Sequence, residues 1–256
     1  MKTISLLSWN VNGLRAAFRK GFADWLAKTR PDILCLQETK ARPEQVVGEL
    51  AQVSGYHHHF VSAKKPGYSG VTLFSKDEPE KLASSFGVRR FDDEGRIIRA
   101  DYGAFTLFNI YFPNGKASPE RLRYKMDFYE AFLSEMKKLL KEDKRIVVCG
   151  DVNTAHTALD LARPKENEKV SGFLPLEREW IDRFLAAGFV DTLRMFEKGP
   201  GQYTWWHLKS GARARNVGWR LDYFYVSDNL KKNVTRAFIL PEVQGSDHCP
   251  VGIEMR

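Results

Sequence analysis

Several short apolar runs in this chain end in residues able to bind a metal ion or a phosphate. Residues 4–9 lead into Asn10-Val11-Asn12-Gly13, and 32–36 into Gln37-Glu38-Thr39. The run 104–112 carries Tyr111 and ends at Pro113-Asn114, while 145–149 leads into Gly150-Asp151-Val152-Asn153. Ahead of the final run, 249–253, stand Gly245-Ser246-Asp247-His248. Asn, Asp and Gly form turns, so any one such junction is more often a turn than a site. The set taken together holds carboxylates, amides, a phenol and an Asp-His pair, with almost no serine or threonine in a nucleophile's setting. Gly-x-Ser-x-Gly, P-loop and Gly-x-Gly-x-x-Gly patterns do not occur, which argues against a serine hydrolase, a nucleoside triphosphatase or a dinucleotide enzyme. Oxygen donors without cysteine or paired histidine favour a hard cation, magnesium or manganese. Such a site suits phosphodiester hydrolysis. The metal neutralises the phosphate, a carboxylate orients or deprotonates water, and neutral donors hold the transition-state oxygens.

These junctions matter only if an architecture brings them together. The chain has 256 residues, 43% hydrophobic and 28% charged, the balance of a soluble globular protein. Its 12% aromatic residues would be costly to leave in water, which excludes disorder as the main state. No internal repeat, low-complexity tract or Ser/Gly linker is visible, so one domain over 1–256 is expected. Runs rich in β-branched and aromatic residues predict strands at 4–9, 32–36, 56–62, 70–75, 104–112, 145–149, 221–226, 234–239 and 249–253. The clearest helix is 118–140, where Leu122, Met126, Tyr129, Leu133, Met136 and Leu140 recur at steps of three and four. Ser118 is placed to cap it and Pro119 to open it. Further helical periods cover 14–28, 43–53 and 176–187. With no strict βαβ alternation, the pattern is that of an α/β protein whose helices pack outside its sheets.

No run approaches the roughly 20 apolar residues needed to cross a bilayer. The start, Met1-Lys2 followed by Ile4 to Trp9 with Ser5 and Ser8 interrupting, does not read as a secretory leader. A cytoplasmic location is expected. Cys35, Cys149 and Cys249 are odd in number and lack Cys-x-x-Cys spacing, which fits buried free thiols. Forty Lys+Arg against 32 Asp+Glu give a charge of +8, favouring a polyanionic partner, although many basic proteins never touch nucleic acid. His57-His58-His59 cannot all converge on one ion, because neighbours on a strand point to opposite faces. That run is read as polar strand or loop, and His156 and His207 as structural.

Six motifs then appear in order: Ser8-Trp-Asn-Val-Asn-Gly-Leu-Arg-Ala16, Leu36-Gln-Glu-Thr-Lys40, Tyr111-Phe-Pro-Asn114, Gly150-Asp-Val-Asn-Thr-Ala-His156, Trp219-Arg-Leu-Asp-Tyr-Phe224 and Ser246-Asp-His-Cys-Pro250. Together they resemble the exonuclease III family of apurinic/apyrimidinic endonucleases, from residue 4 to residue 253. The resemblance implies a four-layered α/β sandwich, two mixed sheets face to face with helices outside and the site at one end. It implies Glu38 as principal metal ligand supported by Asn10, with Asp247 and Asp151 near a second metal position. It places Asp151 on the attacking water, Asn153 beside Asp151 and the scissile phosphate, and His248, held by Asp222, on a phosphate oxygen. Asn153 and His248 also count among the groups around the metal. Tyr111 and Asn114 would contact the phosphate, with Tyr111 as phenol or phenolate left open. Asn12 stands where some members carry Asp, which weakens a direct metal contact from Asn12 and leaves it a substrate-side role.

Substrate binding has its own signature. Lys209, Arg213, Arg215 and Arg220 crowd one segment without an acidic residue, flanked by Trp205-Trp206 and Trp219. Basic groups track phosphates, and indoles offer faces to a sugar or base. In the family the positions matching Trp205, Trp219 and Leu221 wall a pocket for a flipped-out abasic sugar, whose missing base lowers the cost of extrusion. Asn167 matches a phosphate-contacting Asn, whereas Val170 departs from an Asn of mammalian-type members. Lys116 and Arg15 are expected to face DNA. The resulting expectation is a monomeric, Mg2+-dependent enzyme (Mn2+ substituting) that nicks duplex DNA 5′ to abasic sites. A 3′→5′ exonuclease or 3′-end-cleaning activity accompanies it, and incision at attached damaged or deaminated bases such as uracil stays open. The alternatives are a related sandwich hydrolase of inositol phosphates, sphingomyelin or RNA tails, and a DNA-binding module without catalysis.

Overall fold

The computed structural model describes residues 3–85, 87–209 and 211–256. Met1 and Lys2, which open the leader argument above, lie outside the described residues. The chain begins with β1 (Ile4–Asn10), β2 (Ile33–Gln37), β3 (His57–Val61) and β4 (Val71–Ser75) of a first sheet. It then lays down β5 (Lys81–Ala83), β6 (Ile97–Asp101), β7 (Thr106–Tyr111), β8 (Ile146–Asp151) and β9 (Phe189–Asp191) of a second. A two-stranded ribbon follows, β10 (Trp205–Trp206) with β11 (Gly218–Trp219). β12 (Asp222–Ser227) returns to the second sheet, and β13 (Val234–Ile239) and β14 (Val251–Met255) complete the first. The orders are β13-β14-β1-β2-β4-β3 and β5-β6-β7-β8-β12-β9. Both sheets are mixed, because β1–β2 and β7–β8 run parallel among antiparallel neighbours.

Alternation along each strand sets the layers. Leu6, Ile33, Cys35, Leu73 and Ile253 of the first sheet meet Leu107, Val147, Cys149, Phe224 and Val226 of the second in one apolar core. The intervening residues Leu7, Trp9, Leu34, Leu36 and Phe74 face outward under α1 (Leu14–Arg19) and α2 (Phe22–Thr29). On the other side Phe108, Ile110, Val148, Tyr223 and Tyr225 face α3 (Pro119–Lys141) and α4 (Pro175–Ala186). Helix, sheet, sheet, helix is the expected four-layered sandwich. All three cysteines are buried free thiols, as expected.

Some boundaries differ for local reasons. The 14–28 helix is two helices, broken where Gly21 takes φ 91°, a left-handed conformation glycine adopts freely. The 43–53 period yields a 3-10 turn at Pro43–Gln45 and one α-turn at Val47–Leu50. In α3 the Ser118 hydroxyl accepts from Arg121 N at 3.3 Å, as the capping pattern requires. Its buried face adds Phe128, Phe132 and Leu139 to the expected stripe and leaves Leu122, Met126 and Leu140 only half-buried. His57, His58 and His59 lie on β3, with His58 turned to the Phe60 and Phe74 rings.

Beneath the site the sheets are joined by polar groups. Gln37 Nε2 donates to Ser8 Oγ (3.0 Å) and across the core to Asn109 Oδ1 (2.8 Å), while Asn109 Nδ2 donates to the Leu36 and Thr72 carbonyls. These hydrogen bonds between buried amides favour one register of sheet against sheet, while Gln37 Oε1 is left without a partner among the described residues.

Candidate active site

The parallel pairs bring the junctions together. β1 and β2 end side by side at Asn10↔Gln37, β7 and β8 at Tyr111↔Asp151, and β12 starts opposite at Asp222↔Asp151. Gly150 permits this closeness, since a Cβ there would fall 1.8 Å from the Ile110 carbonyl oxygen and its φ is 139°. Just past the strands Asn12, Glu38 and Asn153 all take left-handed backbone, with φ of 46°, 50° and 55°. For Glu38 that conformation is uncommon and costs energy, and such residues gather at functional sites.

Asn10 is fully buried between two acids, its Nδ2 donating to Glu38 Oε1 at 3.0 Å and Asp151 Oδ2 at 2.9 Å. Asn10 Oδ1 is taken by the Asn12 N–H at 3.0 Å. Asn10 thus bridges the two carboxylates, which at this separation need a donor between them. Glu38 also accepts from Tyr111 Oη (2.7 Å) and pairs with Lys40 (2.8 Å). Burial favours its neutral form, but Lys40, Asn10 and Tyr111 outweigh this and keep its carboxyl below the usual range. Burial and the neighbouring Glu38 push the Tyr111 hydroxyl well above its ordinary value, which favours the phenol over the phenolate. Its ring lies under the buried Arg96 guanidinium at 4.6 Å, and Arg96 Nη1 donates to its carbonyl at 2.9 Å.

His248 Nδ1 meets Asp222 Oδ2 at 2.7 Å, and Thr204 Oγ1 donates to the same oxygen at 2.6 Å. Asp151, Asp222 and His248 offer ligand atoms within 4.8 Å of one another. Burial opposes charge on His248, but Asp222, Asp151 and Asp247 prevail and raise it to about 10. Burial, opposed by His248 and aided by Asp222 and Glu38, pushes the Asp151 carboxyl up to about 7.

Asn153 grips Asp151, its N–H donating to Oδ1 at 2.8 Å and its Nδ2 to Oδ2 at 3.2 Å. Its side chain is fully engaged, since Nδ2 also reaches the Phe112 carbonyl and Oδ1 accepts from Asn114 Nδ2 at 2.9 Å. That makes Asn153 a holder of Asp151 more than an open ligand. Asp247 accepts from Asn12 Nδ2 and from Trp205 Nε1, each at 3.0 Å.

A cleft of about 260 Å³ joins these groups, its lining holding Glu38, Asp151, Asn153 and His248 together with Trp205, Trp219 and Leu221. The two indoles stand nearly perpendicular, 83° apart, paired across the β10–β11 ribbon. Asn114 and Lys116 close the rim, with Lys116 Nζ 5.4 and 5.3 Å from the two indole centres.

The other substrate-side candidates fall in different places. Arg220 is no phosphate contact: it is buried, its guanidinium bonded to Asp160 (2.7 Å) and to Asp191 (3.0 and 2.6 Å). Arg213 donates to the Ser246, Pro241 and Val243 carbonyls and covers the buried Trp206. Arg15 is exposed on α1, outside the cleft lining. Asn167 also lies outside it, its Nδ2 turned back to the Arg163 carbonyl at 2.7 Å. His156 pairs with Asp182, in keeping with a structural role.

Sequence reasoning passed over Lys40, although it closes one of the six motifs, and Thr204, which carries no local signal. It also passed over a buried ion pair, Lys125 Nζ to Glu177 Oε1 at 2.7 Å. Lys125 donates to the Asn153 carbonyl (2.8 Å), and Glu177 accepts from Ser171 Oγ and the Gly172 N–H. The pair therefore ties the Asp151 turn to the loop beneath Trp219.

The family model described as Endonuclease/Exonuclease/phosphatase family matches residues 7–248. An exodeoxyribonuclease of Bacillus subtilis (strain 168) is 45% identical over 250 residues, covering 97% of this chain and 98% of that protein. A DNA-(apurinic or apyrimidinic site) endonuclease of Dictyostelium discoideum is 39% identical over 98% of this chain and 70% of its own length. Among solved structures, an AP endonuclease from Archaeoglobus fulgidus superimposes with TM-score 0.88 at 28% identity, covering 98% of both chains. A 3′ phosphatase from Neisseria bound to product DNA hairpin gives TM-score 0.90 at 25% identity over 99% of both.

Proposed function

Because this chain belongs to the endonuclease/exonuclease/phosphatase family, in its exonuclease III-type branch of AP endonucleases, we propose that it hydrolyses the DNA phosphodiester 5′ to an abasic site. The products are a 3′-hydroxyl and a 5′-deoxyribose phosphate, and the same phosphate site trims 3′ ends. The observation that carries the reading is the meeting of Glu38, Asp151 and His248, the last held by Asp222, in a cleft also lined by Trp205, Trp219 and Leu221.

The family is metal-dependent, and the donor set here is one of oxygens with no thiolate, which fits magnesium, with manganese as substitute. Glu38 is the principal holder, with Asp151, Asp247 and Asn10 around it. When bound, the cation supplies Lewis acidity to the phosphate. The remaining work falls to the chain's own groups. Asp151, poised near neutrality, orients water and takes its proton. His248, kept protonated by Asp222, donates from Nε2 to a phosphate oxygen. Asn114 and the Tyr111 phenol donate to others, and Asn153 holds Asp151 in line.

Duplex DNA suits the surroundings better than a small inositol phosphate. A second cleft of about 250 Å³, lined by Lys40, Arg42, Lys65 and Tyr68, is linked to the first by the ion pair of its Lys40 with Glu38 and extends the basic surface past it. Among the described residues no helix is long and apolar enough to cross a membrane. We infer one domain acting as a monomer in the cytoplasm, with no obligate protein partner. The test is an end-labelled duplex with one abasic site, incubated with magnesium or EDTA beside duplexes holding uracil or no lesion. A magnesium-dependent nick 5′ to the abasic site is expected. No cut on any duplex, with turnover of an inositol polyphosphate, would move the substrate to the alternative class.

A further inference from the structure

Phosphodiester hydrolysis leaves the chemistry of one cleft residue unused. Lys116 is exposed along its length, yet its amine is drawn between the Trp205 and Trp219 faces at 5.4 and 5.3 Å. Among the described residues no carboxylate lies within ion-pair distance of it. The acids of the cleft are engaged elsewhere: Glu38 with Lys40, Asp247 with Asn12 and Trp205, Asp151 with Asn10 and Asn153. A lysine against apolar walls and without an anionic partner is in the setting where its amine serves as a nucleophile. Those walls take the amine partly out of water, which lowers its pKa and enlarges the neutral fraction.

The same walls are where a substrate's sugar must rest. A phosphodiester held by His248, Asn114 and the Tyr111 phenol brings its attached sugar beside Trp205, Trp219 and Leu221, which line the same cleft. On the abasic-site reading given above, on which this step rests, that sugar carries no base at C1′ and opens to a free aldehyde.

We propose that Lys116 condenses with this aldehyde, giving the protein a metal-independent lyase activity at the same lesion. Lys116 Nζ adds to C1′, a carbon–nitrogen bond forms, and the aldehyde oxygen leaves as water. The protonated imine acidifies C2′. Loss of a C2′ proton to solvent forms the C2′–C3′ double bond, and the C3′–O bond breaks with its electron pair leaving on the 3′ phosphate. Hydrolysis of the unsaturated imine consumes one water and frees Lys116. No oxidant or reductant takes part. The hydrolytic cut falls 5′ to the lesion and the eliminative one 3′ to it.

The full chain in EDTA is mixed with sodium borohydride and a duplex holding one abasic site, beside a duplex holding the tetrahydrofuran analogue, which has no aldehyde. The expected result is a covalent protein–DNA adduct with the abasic duplex alone, mapped by peptide mass to the segment containing Lys116. Lys116→Arg lowers its yield at least about tenfold at DNA concentrations that saturate both proteins. Mapping uses the unaltered protein, so it stands even where the arginine variant fails to fold. No adduct, an adduct on another lysine, or an equal yield from Lys116→Arg overturns the proposal. Magnesium-dependent cutting of the tetrahydrofuran duplex is scored in parallel. Cutting without an adduct removes the lyase and keeps the hydrolase, whereas neither result removes both.

Discussion

His248 Nδ1 stands 2.7 Å from Asp222 Oδ2, while its Nε2 looks toward Asp151 Oδ2 from 3.9 Å. The first is a hydrogen bond and the second is too long for one. One end of the imidazole is committed to Asp222, and the other makes no hydrogen bond to Asp151.

Asp222→Asn removes the charge that keeps the ring protonated. Turnover should fall by about 10²- to 10⁴-fold with a much smaller change in KM. The folded pKa is raised, so the donating form is present below it and lost as pH rises through it. Without Asp222 that loss moves to lower pH. A kcat profile over roughly pH 6 to 10 reads the shift, and an unmoved alkaline limb removes Asp222 from this role.

Asp151→Asn keeps the size of the side chain and abolishes a base. Cleavage should drop by at least about 10³-fold while affinity for an uncut abasic duplex stays within about threefold. Single-turnover cleavage and fluorescence anisotropy on the same duplex separate the two. Retained turnover would take Asp151 out of catalysis.

EDTA should stop hydrolysis with the protein still folded, and magnesium should restore it. Glu38→Gln should raise the magnesium needed for half-maximal activity by at least about tenfold. A titration of initial rate against magnesium measures this, and an unchanged midpoint would place the metal elsewhere.

Gly150→Ala tests the approach of β7 and β8. The added Cβ would meet the Ile110 carbonyl at 1.8 Å on left-handed backbone. The expected cost is about 3 kcal/mol or more, a fall of roughly 6–12 °C in Tm. Differential scanning calorimetry decides, and a Tm within about 2 °C of the parent would mean the strands part easily.

Acid should weaken the fold through Asp160. Burial raises its carboxyl, but the Arg220 and Arg194 guanidinium groups win and hold it far below the usual carboxylate range. A depressed folded pKa gives stability that is present above the unfolded value, about 4, and lost as pH falls below it. Asp160→Asn leaves Arg220 one partner short and should cost about 3–5 kcal/mol at neutral pH, a difference that shrinks as the medium is acidified below about pH 4. Urea unfolding at two pH values reads it, and a pH-independent difference would assign the effect to packing.

What the sequence made legible followed from local pattern. Strand ends with Asn10, Glu38, Asp151 and Asp247-His248 could be read in place, because an apolar run and the polar turn closing it are adjacent in the chain. Ser118 and Pro119 declared the start of α3 in the same way. Arg220 misled because its partners, Asp160 and Asp191, stand 60 and 29 residues away and the basic segment that ends at it holds no acid. Lys125 looked like one more exposed lysine on a helix, and only the fold brings Glu177 to it. The short strand β5 has all three residues exposed, so it carries no alternation to detect.

Asn10 belongs to one sheet and Asp151 to the other, and 2.9 Å separates them. The reaction centre is therefore a seam, and its geometry measures how the two halves of the sandwich are registered. A slip of about an ångström along the seam would part this contact while every strand kept its neighbours. Enzymatic rate then acts as a gauge of shear. In mild urea it should fade before the circular dichroism of the sheets changes, and whatever grips both faces at once, a bent duplex included, should bring it back.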